Sequence, residues 1–465
     1  MYKNIKVLIL IITIIIFFLS KDIGIFWDNV LFISKMGGYL YEHNIFNWSL
    51  PDSIDPGHPP FTGFLNSFGW KLLGKKLWVS HLIMIPFIYG LLYQVFLLIS
   101  YYVKEYKLRF FAFLLILADP TFLAHLFYVT PEPVQLFFFF LTINSILRNK
   151  FYLKTLGLSF LGIVSFRGMM LCAGIFIFDL TRALIINKKT LKDFLLNKEI
   201  IISYLIGAIP AVSFILWHYL SKGWIFTHSD SPWAGTNDFV DIKSFFFNLI
   251  VISHRYMDFG RVGIMMFIAI MLLFRYNYFK DSNIKELLLL AISSVLIIII
   301  VSLSIVNPMG HRYFIASFIA FNLIAYLLLI KLKIRKILYP VLLTILISGN
   351  LWIYPETISQ GWDSSLAGLP YFDLRREAIN YLDTHHIRVK EVGTFFPNAT
   401  SISNIDINND DREFSYFNDS LNYVLYSNVY NLSDEEYDTL NKEYYSLKIF
   451  KCNKIHVSIL QKKQN

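Results

Sequence analysis

The sequence predicts an all-α polytopic membrane protein of about eleven transmembrane helices, ending in a small α/β extracytoplasmic domain. Three observations predict it. Hydrophobic residues make up 55% of the 465 and charged residues only 16%, where a soluble domain carries about 25% charged residues. Near-uncharged runs recur along residues 1–354, several of them close to the roughly 20 apolar residues that cross a bilayer. From residue 355 onward the chain turns polar and charged.

The runs fall at about 5–20, 79–102, 109–127, 132–147, 154–166, 169–187, 200–220, 261–275, 286–306, 312–330 and 337–354, with ends good to about four residues. Lys3 and Lys6 precede the first run as in a signal peptide, but Ser20-Lys21-Asp22-Ile23 offers no small-x-small cleavage site. The run therefore reads as an uncleaved first span. The apolar stretch Phe61–Leu73 is too short to span alone and is placed as a re-entrant or interfacial helix.

Loop charge sets the orientation. With the N-terminus in the cytoplasm, the inside loops hold Lys3 and Lys6; Lys104, Lys107 and Arg109; Arg148, Lys150 and Lys154; Arg182, Lys188, Lys189, Lys192 and Lys198; Arg275, Lys280 and Lys285; and Lys331, Lys333, Arg335 and Lys336. That is about 20 basic residues in short loops against about 11 outside in longer ones, the bias that orients bacterial inner-membrane proteins. An odd number of crossings leaves the C-terminal domain outside. The formal charge of +9 thus belongs to membrane topology, and no nucleic-acid partner is expected.

Two long external segments, about 21–78 and 221–260, are rich in Trp, Phe, Tyr, Pro and Gly, a composition for packed structure at the membrane surface. The division is a membrane domain over 1–354 and an α/β domain over 355–465. In the latter, 375–382 has a helical pattern, and 389–396, 423–426 and 455–460 read as strands. A helix over 434–445 opens with a capping box, Ser433 with Glu436. Cys172 and Cys452 have no metal or disulfide spacing and read as unpaired thiols.

Chemistry concentrates at the outer ends of the spans. Asp28 follows Trp27 just beyond the first run, and Asp52, Asp55, Pro56, Gly57, His58, Pro59 and Pro60 precede the short apolar helix. A carboxylate near lipid loses hydration and gains basicity; the bland alternative is that Asp28 caps the following helix. Glu132 stands in Thr130-Pro131-Glu132-Pro133, either a second active-site acid or a carboxylate favoured by a helix N-terminus. Arg167, Arg255, Arg261 and the run His311-Arg312-Tyr313 oppose the positive-inside trend. They fit an anion such as a phosphate, held by bidentate hydrogen bonds, or else snorkel to headgroups. There is no Walker loop, dinucleotide fingerprint, His-x-Glu or Cys-x-x-Cys pattern. Asp119-Pro120 and the aromatic run 137–140 read as packing features.

With these residues in view, the chain resembles the GT-C fold glycosyltransferases that use polyprenyl-phosphate sugars, in the branch of protein mannosyltransferases and aminoarabinose lipid A transferases. Four features carry the resemblance: Asp28 after the first span; His58-Pro59-Pro60-Phe61 before an amphipathic helix ending at Gly74; Glu132 opening the fourth span; and Arg312-Tyr313 starting a late one. Two departures stand out. Members often have Asp-Glu after the first span, where this chain has Asp28-Asn29, and the second acid is commonly Asp.

The resemblance implies a polyprenyl-phosphate-linked sugar donor and a lipid, glycan or protein acceptor at the outer face of the bilayer. It makes Asp28 and Glu132 the catalytic carboxylates. His58, Arg167, Arg255, Arg261, His311 and Arg312 become donor-phosphate or substrate contacts, with Asp55 and Tyr313 in support. A single displacement would invert the anomeric carbon. The resemblance makes no cofactor certain and leaves a divalent metal open, since some members bind one. Rival readings are a lipid-glycan flippase or transporter, which would need mid-membrane charges or broken helices; an O-antigen polymerase or ligase; and a noncatalytic assembly subunit. The Ile-, Asn-, Lys- and Phe-rich usage points to a bacterium with an AT-rich genome.

Overall fold

A computed structural model describes all residues except 1, 227, 232, 237, 307–309 and 465. The chain is a bundle of apolar helices with one small mixed sheet at its C-terminus. In order, the membrane part comprises α1 (Tyr2–Ser20), α2 (Met36–Glu42), α3 (Phe61–Leu73), α4 (Leu77–Tyr102), α5 (Tyr106–Leu117), α6 (Pro120–Phe127), α7 (Glu132–Leu147) and α8 (Phe151–Val164). It continues with α9 (Phe166–Thr181), α10 (Leu191–Leu195), α11 (Lys198–Lys222), α12 (Ile242–Met257), α13 (Arg261–Phe274), α14 (Ser282–Ser304), α15 (Ile315–Leu329) and α16 (Arg335–Ser348).

All eleven predicted runs lie on helices. Among the described residues, five helices are long and apolar enough to cross a membrane, or up to seven if each of two bent pairs is one span. Three shorter apolar helices, Ile5–Ser20, Glu132–Leu147 and Phe151–Val164, lie beside them. This is an integral membrane protein.

The bent pairs depart from the expectation of simple spans. The run at 109–127 is broken into α5 and α6 at 77°. The break is written locally: Asp119 accepts from the amides of Thr121 and Phe122, and Pro120 takes the first helical turn, which needs no N–H. The segment 221–260, expected as a loop, contains α12, which meets α13 at 95°. Here Gly260 has a positive φ of 79° and lies so close to α16 that a Cβ would sit 2.1 Å from the Ile345 carbonyl oxygen. A bulkier residue could not make that corner.

The C-terminal part holds α17 (Tyr371–Thr384), β1 (Val392–Thr394), α18 (Ile402–Asp406), β2 (Ser415–Tyr416), β3 (Tyr423–Ser427), α19 (Asp434–Glu443), β4 (Tyr444–Cys452) and β5 (Ile455–Lys462). The strand order is β2-β1-β3-β5-β4. β1 runs parallel to both β2 and β3, and β5 antiparallel to β3 and β4. The capping box of Ser433 and Glu436 forms, and α19 ends at Glu443 because Tyr444 enters β4, a strand the helical reading of 434–445 had overrun.

This unit docks on the chain that follows α1. Ile25 N–H donates to Ile405 O at 2.8 Å, Ser34 Oγ to Asn404 O at 2.5 Å and Arg376 to Asp22 O at 2.6 Å. The Phe26 ring packs among Tyr128, Tyr371 and Phe372. Trp27 takes a left-handed φ of 60°, a conformation that costs a non-glycine residue about 1–2 kcal/mol. Packing from both sides holds that turn, and Asp28 comes next.

Candidate active site

Arg312 lies on the 3₁₀ turn His311–Phe314 that leads into α15. Its guanidinium meets three carboxylates. Nη2 donates to Asp28, Nη1 donates to Asp363 Oδ2 at 2.9 Å, and Nε faces Glu132 Oε1 at 3.7 Å. The same Glu132 oxygen accepts from Arg167 Nη1 at 2.7 Å. Arg167 in turn stacks on the Tyr313 ring, 4.2 Å from its centroid.

Local sequence explains these positions. Glu132 is the first residue of α7, between two prolines, and its carboxylate pairs with Arg167. Ser165 caps α9 by accepting from Gly168 N–H and also receives Gln135 Nε2 at 2.9 Å, which ties α7 to the turn carrying Arg167. Asp28 does not cap the segment after it, which has no side-chain cap; its carboxylate faces Arg312 instead.

A narrow cleft of about 10 Å³, room for about one water molecule, lies beside this cluster. Its lining combines the polar Glu132, Gln135, Arg167, Arg312 and Tyr313 with the apolar Leu136, Leu171, Ile298 and Ala316. Several buried polar atoms here have no hydrogen-bond partner among the described residues: Arg312 Nε, Glu132 Oε2 and His125 Nε2. Buried polar atoms are rarely left unpaired, so an orphaned donor on an arginine beside a cleft is a ready contact for an incoming anion.

A second buried network is built on His311, the residue before Arg312. His311 Nε2 lies 2.8 Å from Asp258 Oδ2, and Tyr354 OH donates to the other oxygen. Arg261 bonds Asp119 at 3.2 Å and Thr121 at 2.9 Å and lies over the Phe318 ring. Arg255, half-buried at the end of α12, feels the charges of Asp258 and Asp363.

No protein-family model matches the sequence, and no curated protein matches it. Among solved structures, the crystal structure of ArnT from Cupriavidus metallidurans, bound to undecaprenyl phosphate, matches with a TM-score of 0.55. The match covers 97% of each chain at 12% sequence identity. The chain folds like ArnT. At that identity the likeness is one of fold, and it agrees with the GT-C resemblance carried by the short motifs.

Within this ArnT-like fold, Asp28, Glu132, Arg167, Arg312 and Tyr313 come together. His58 lies one step away, its Nδ1 3.4 Å from the Phe166 amide and its ring among Phe32, Phe166 and Trp233. Burial, with help from the Arg167 charge, pushes its pKa down to about 3, so it meets a ligand as a neutral ring. The structure does not bring Asp55 into the cluster. It accepts from Gly57 N–H at 2.8 Å and pairs with His218 at 3.2 Å, pinning the loop before α3 to α11. Arg261 and His311 belong to the second network.

Two residues of the cluster escaped the sequence reading. His125 lies 3.6 Å from Glu132 Oε2; an ionisable residue inside an apolar run was a signal for it. Asp363 lies in the C-terminal third of the sequence, and nothing local marks Gly361-Trp362-Asp363-Ser364 as a partner of Arg312. Burial pushes the Asp363 pKa up, but Arg312 and His125 outweigh it and hold the carboxyl below its ordinary range. Among the described residues, no three His, Cys, Asp or Glu side chains gather to hold a metal. The divalent ion that the resemblance allows therefore has no ready ligand set among the described residues.

Proposed function

We propose that the protein is an integral membrane glycosyltransferase that moves a sugar from a polyprenyl-phosphate donor to a lipid, glycan or protein acceptor. The observation that carries this reading is the convergence of two carboxylates and two guanidinium groups, Asp28 and Glu132 with Arg167 and Arg312, beside a narrow cleft. A phosphate would meet Arg167 and Arg312, and a prenyl chain would lie along Leu136, Leu171 and Ile298 as the cleft widens to admit it. The ArnT-like fold supports the same ligand class, since that ArnT structure holds undecaprenyl phosphate.

In this reading Asp28 takes the proton of the acceptor hydroxyl as its oxygen attacks the anomeric carbon. The bond to the phosphate oxygen breaks in the same displacement and configuration inverts. The leaving phosphate gains charge as it departs, and fixed guanidinium groups favour that change because they need no reorganisation. Glu132 holds Arg167 and faces Arg312, which sets the geometry of the phosphate contact. Neutral His58 adds a hydrogen bond rather than a charge. Arg255, Arg261 and His311 support from behind, and Asp55 does so through the loop bearing His58. The topology follows loop charge: cytoplasmic N-terminus, eleven crossings, a membrane domain over 1–354 and an extracytoplasmic domain over 355–465, in a bacterial inner membrane.

The test uses purified full-length protein in proteoliposomes with undecaprenyl-phosphate-linked pentoses and hexoses, following release of undecaprenyl phosphate. Asp28→Asn is expected to lower turnover about 10²–10⁴-fold, the usual contribution of a general base. Unchanged turnover would remove Asp28 from the mechanism. Donor crossing the bilayer without any release would favour a flippase instead.

A further inference from the structure

A guanidinium offers two edges to an oxyanion, and Arg312 presents them unequally. Nη1 is committed to Asp363 at 2.9 Å. Nη2 is given to Asp28. Nε is buried, faces Glu132 Oε1 at 3.7 Å and makes no hydrogen bond among the described residues. The Nε–Nη2 edge therefore has one open donor and one donor held by the residue read above as the base.

Asp363 is built into its place. Gly361 allows a close approach: a Cβ there would fall 2.8 Å from His311 Nδ1 and 3.1 Å from Ser364 Oγ. Trp362 is 3% exposed and anchors the turn. Ser364 Oγ donates to Asp363 Oδ1 at 3.0 Å, and Ser364 O accepts from Thr121 Oγ1 at 3.1 Å, fastening the turn to α6. Asp28 is looser, its side chain 27% exposed against 6% for Asp363.

We propose that Asp363 is a positioning residue, which holds Arg312 by Nη1 while the donor's phosphate displaces Asp28 from the Nε–Nη2 edge. Donor binding itself then frees the base. The exchange replaces one anion on Arg312 by another, while Asp363 and Glu132 stay in place beside it. A bidentate phosphate gains the open Nε that Asp28 leaves unused. Before the donor arrives, the Asp28 carboxylate is occupied by Arg312, which guards against idle chemistry. The inference rests on the reading of Asp28 and Arg312 proposed above.

The experiment titrates undecaprenyl phosphate into the purified full-length protein in nanodiscs, read by intrinsic tryptophan fluorescence. Asp363→Asn is expected to weaken binding at least about tenfold, because the guanidinium loses the anchor that aims its Nε–Nη2 edge. Asp363→Glu should recover most of that loss. Asp28→Asn should bind about threefold or more tightly, because the competing carboxylate is weakened; a damaged fold could not produce that gain. Unchanged binding in Asp363→Asn, or weaker binding in Asp28→Asn, overturns the inference while the glycosyltransferase reading stands. If the wild-type protein binds no undecaprenyl phosphate, that reading falls and the inference falls with it.

Discussion

The Arg312 hub makes a quantitative prediction about which of its ion pairs carries stability. Arg312 and Asp363 side chains are each 6% exposed and lie 2.9 Å apart, whereas Asp28 is 27% exposed. Removing one partner of a buried pair leaves an uncompensated charge and costs about 3–5 kcal/mol, while an exposed pair is worth up to about 1 kcal/mol. Arg312→Met strands Asp363 and Glu132 with only Arg167 nearby, so it should lower unfolding stability by about 3–5 kcal/mol. A double-mutant cycle with Asp363→Asn should return a coupling of roughly 2–3 kcal/mol, and one with Asp28→Asn only about 1 kcal/mol. The assay is reversible denaturant unfolding in mixed micelles, followed by tryptophan fluorescence on all five variants. The ordering is the sharp part. A coupling to Asp28 equal to or larger than that to Asp363 would refute the claim that burial in the 361–365 turn fixes Arg312.

Two further outcomes follow from other parts of the fold. Gly174 on α9 packs against α14 so closely that a Cβ would lie 2.4 Å from the Ser293 carbonyl oxygen; Gly174→Val should push the helices apart and cost about 1–3 kcal/mol, seen as a lower thermal midpoint, and an unchanged midpoint would contradict that packing. His58 has a folded pKa of about 3 against an ordinary 6.5, so between those values the unfolded chain binds the extra proton. Stability is then full above pH 6.5 and falls on acidification by up to about 1.4 kcal/mol per pH unit, and His58→Phe should flatten that part of the profile.

What sequence alone determined is what short-range physics writes. The apolar runs had to become helices, because a backbone in hydrocarbon satisfies its polar groups within its own segment. The Asp119-Pro120 break, the Ser165 cap and the Ser433–Glu436 box are likewise local, each settled by a few residues around one helix end. Asp28, Glu132, Arg167 and Arg312 were legible as a set because charges at the ends of apolar runs are costly and need partners. Their identity as partners was not. That Asp363 closes the set, that Arg261 turns to Asp119 and that Asp55 turns to His218 depend on contacts between residues more than a hundred positions apart, except for the 51 that separate Arg312 from Asp363. Tertiary structure decided those pairings, because a buried charge takes whichever opposite charge the packing of helices brings within reach, and no sequence spacing encodes that distance.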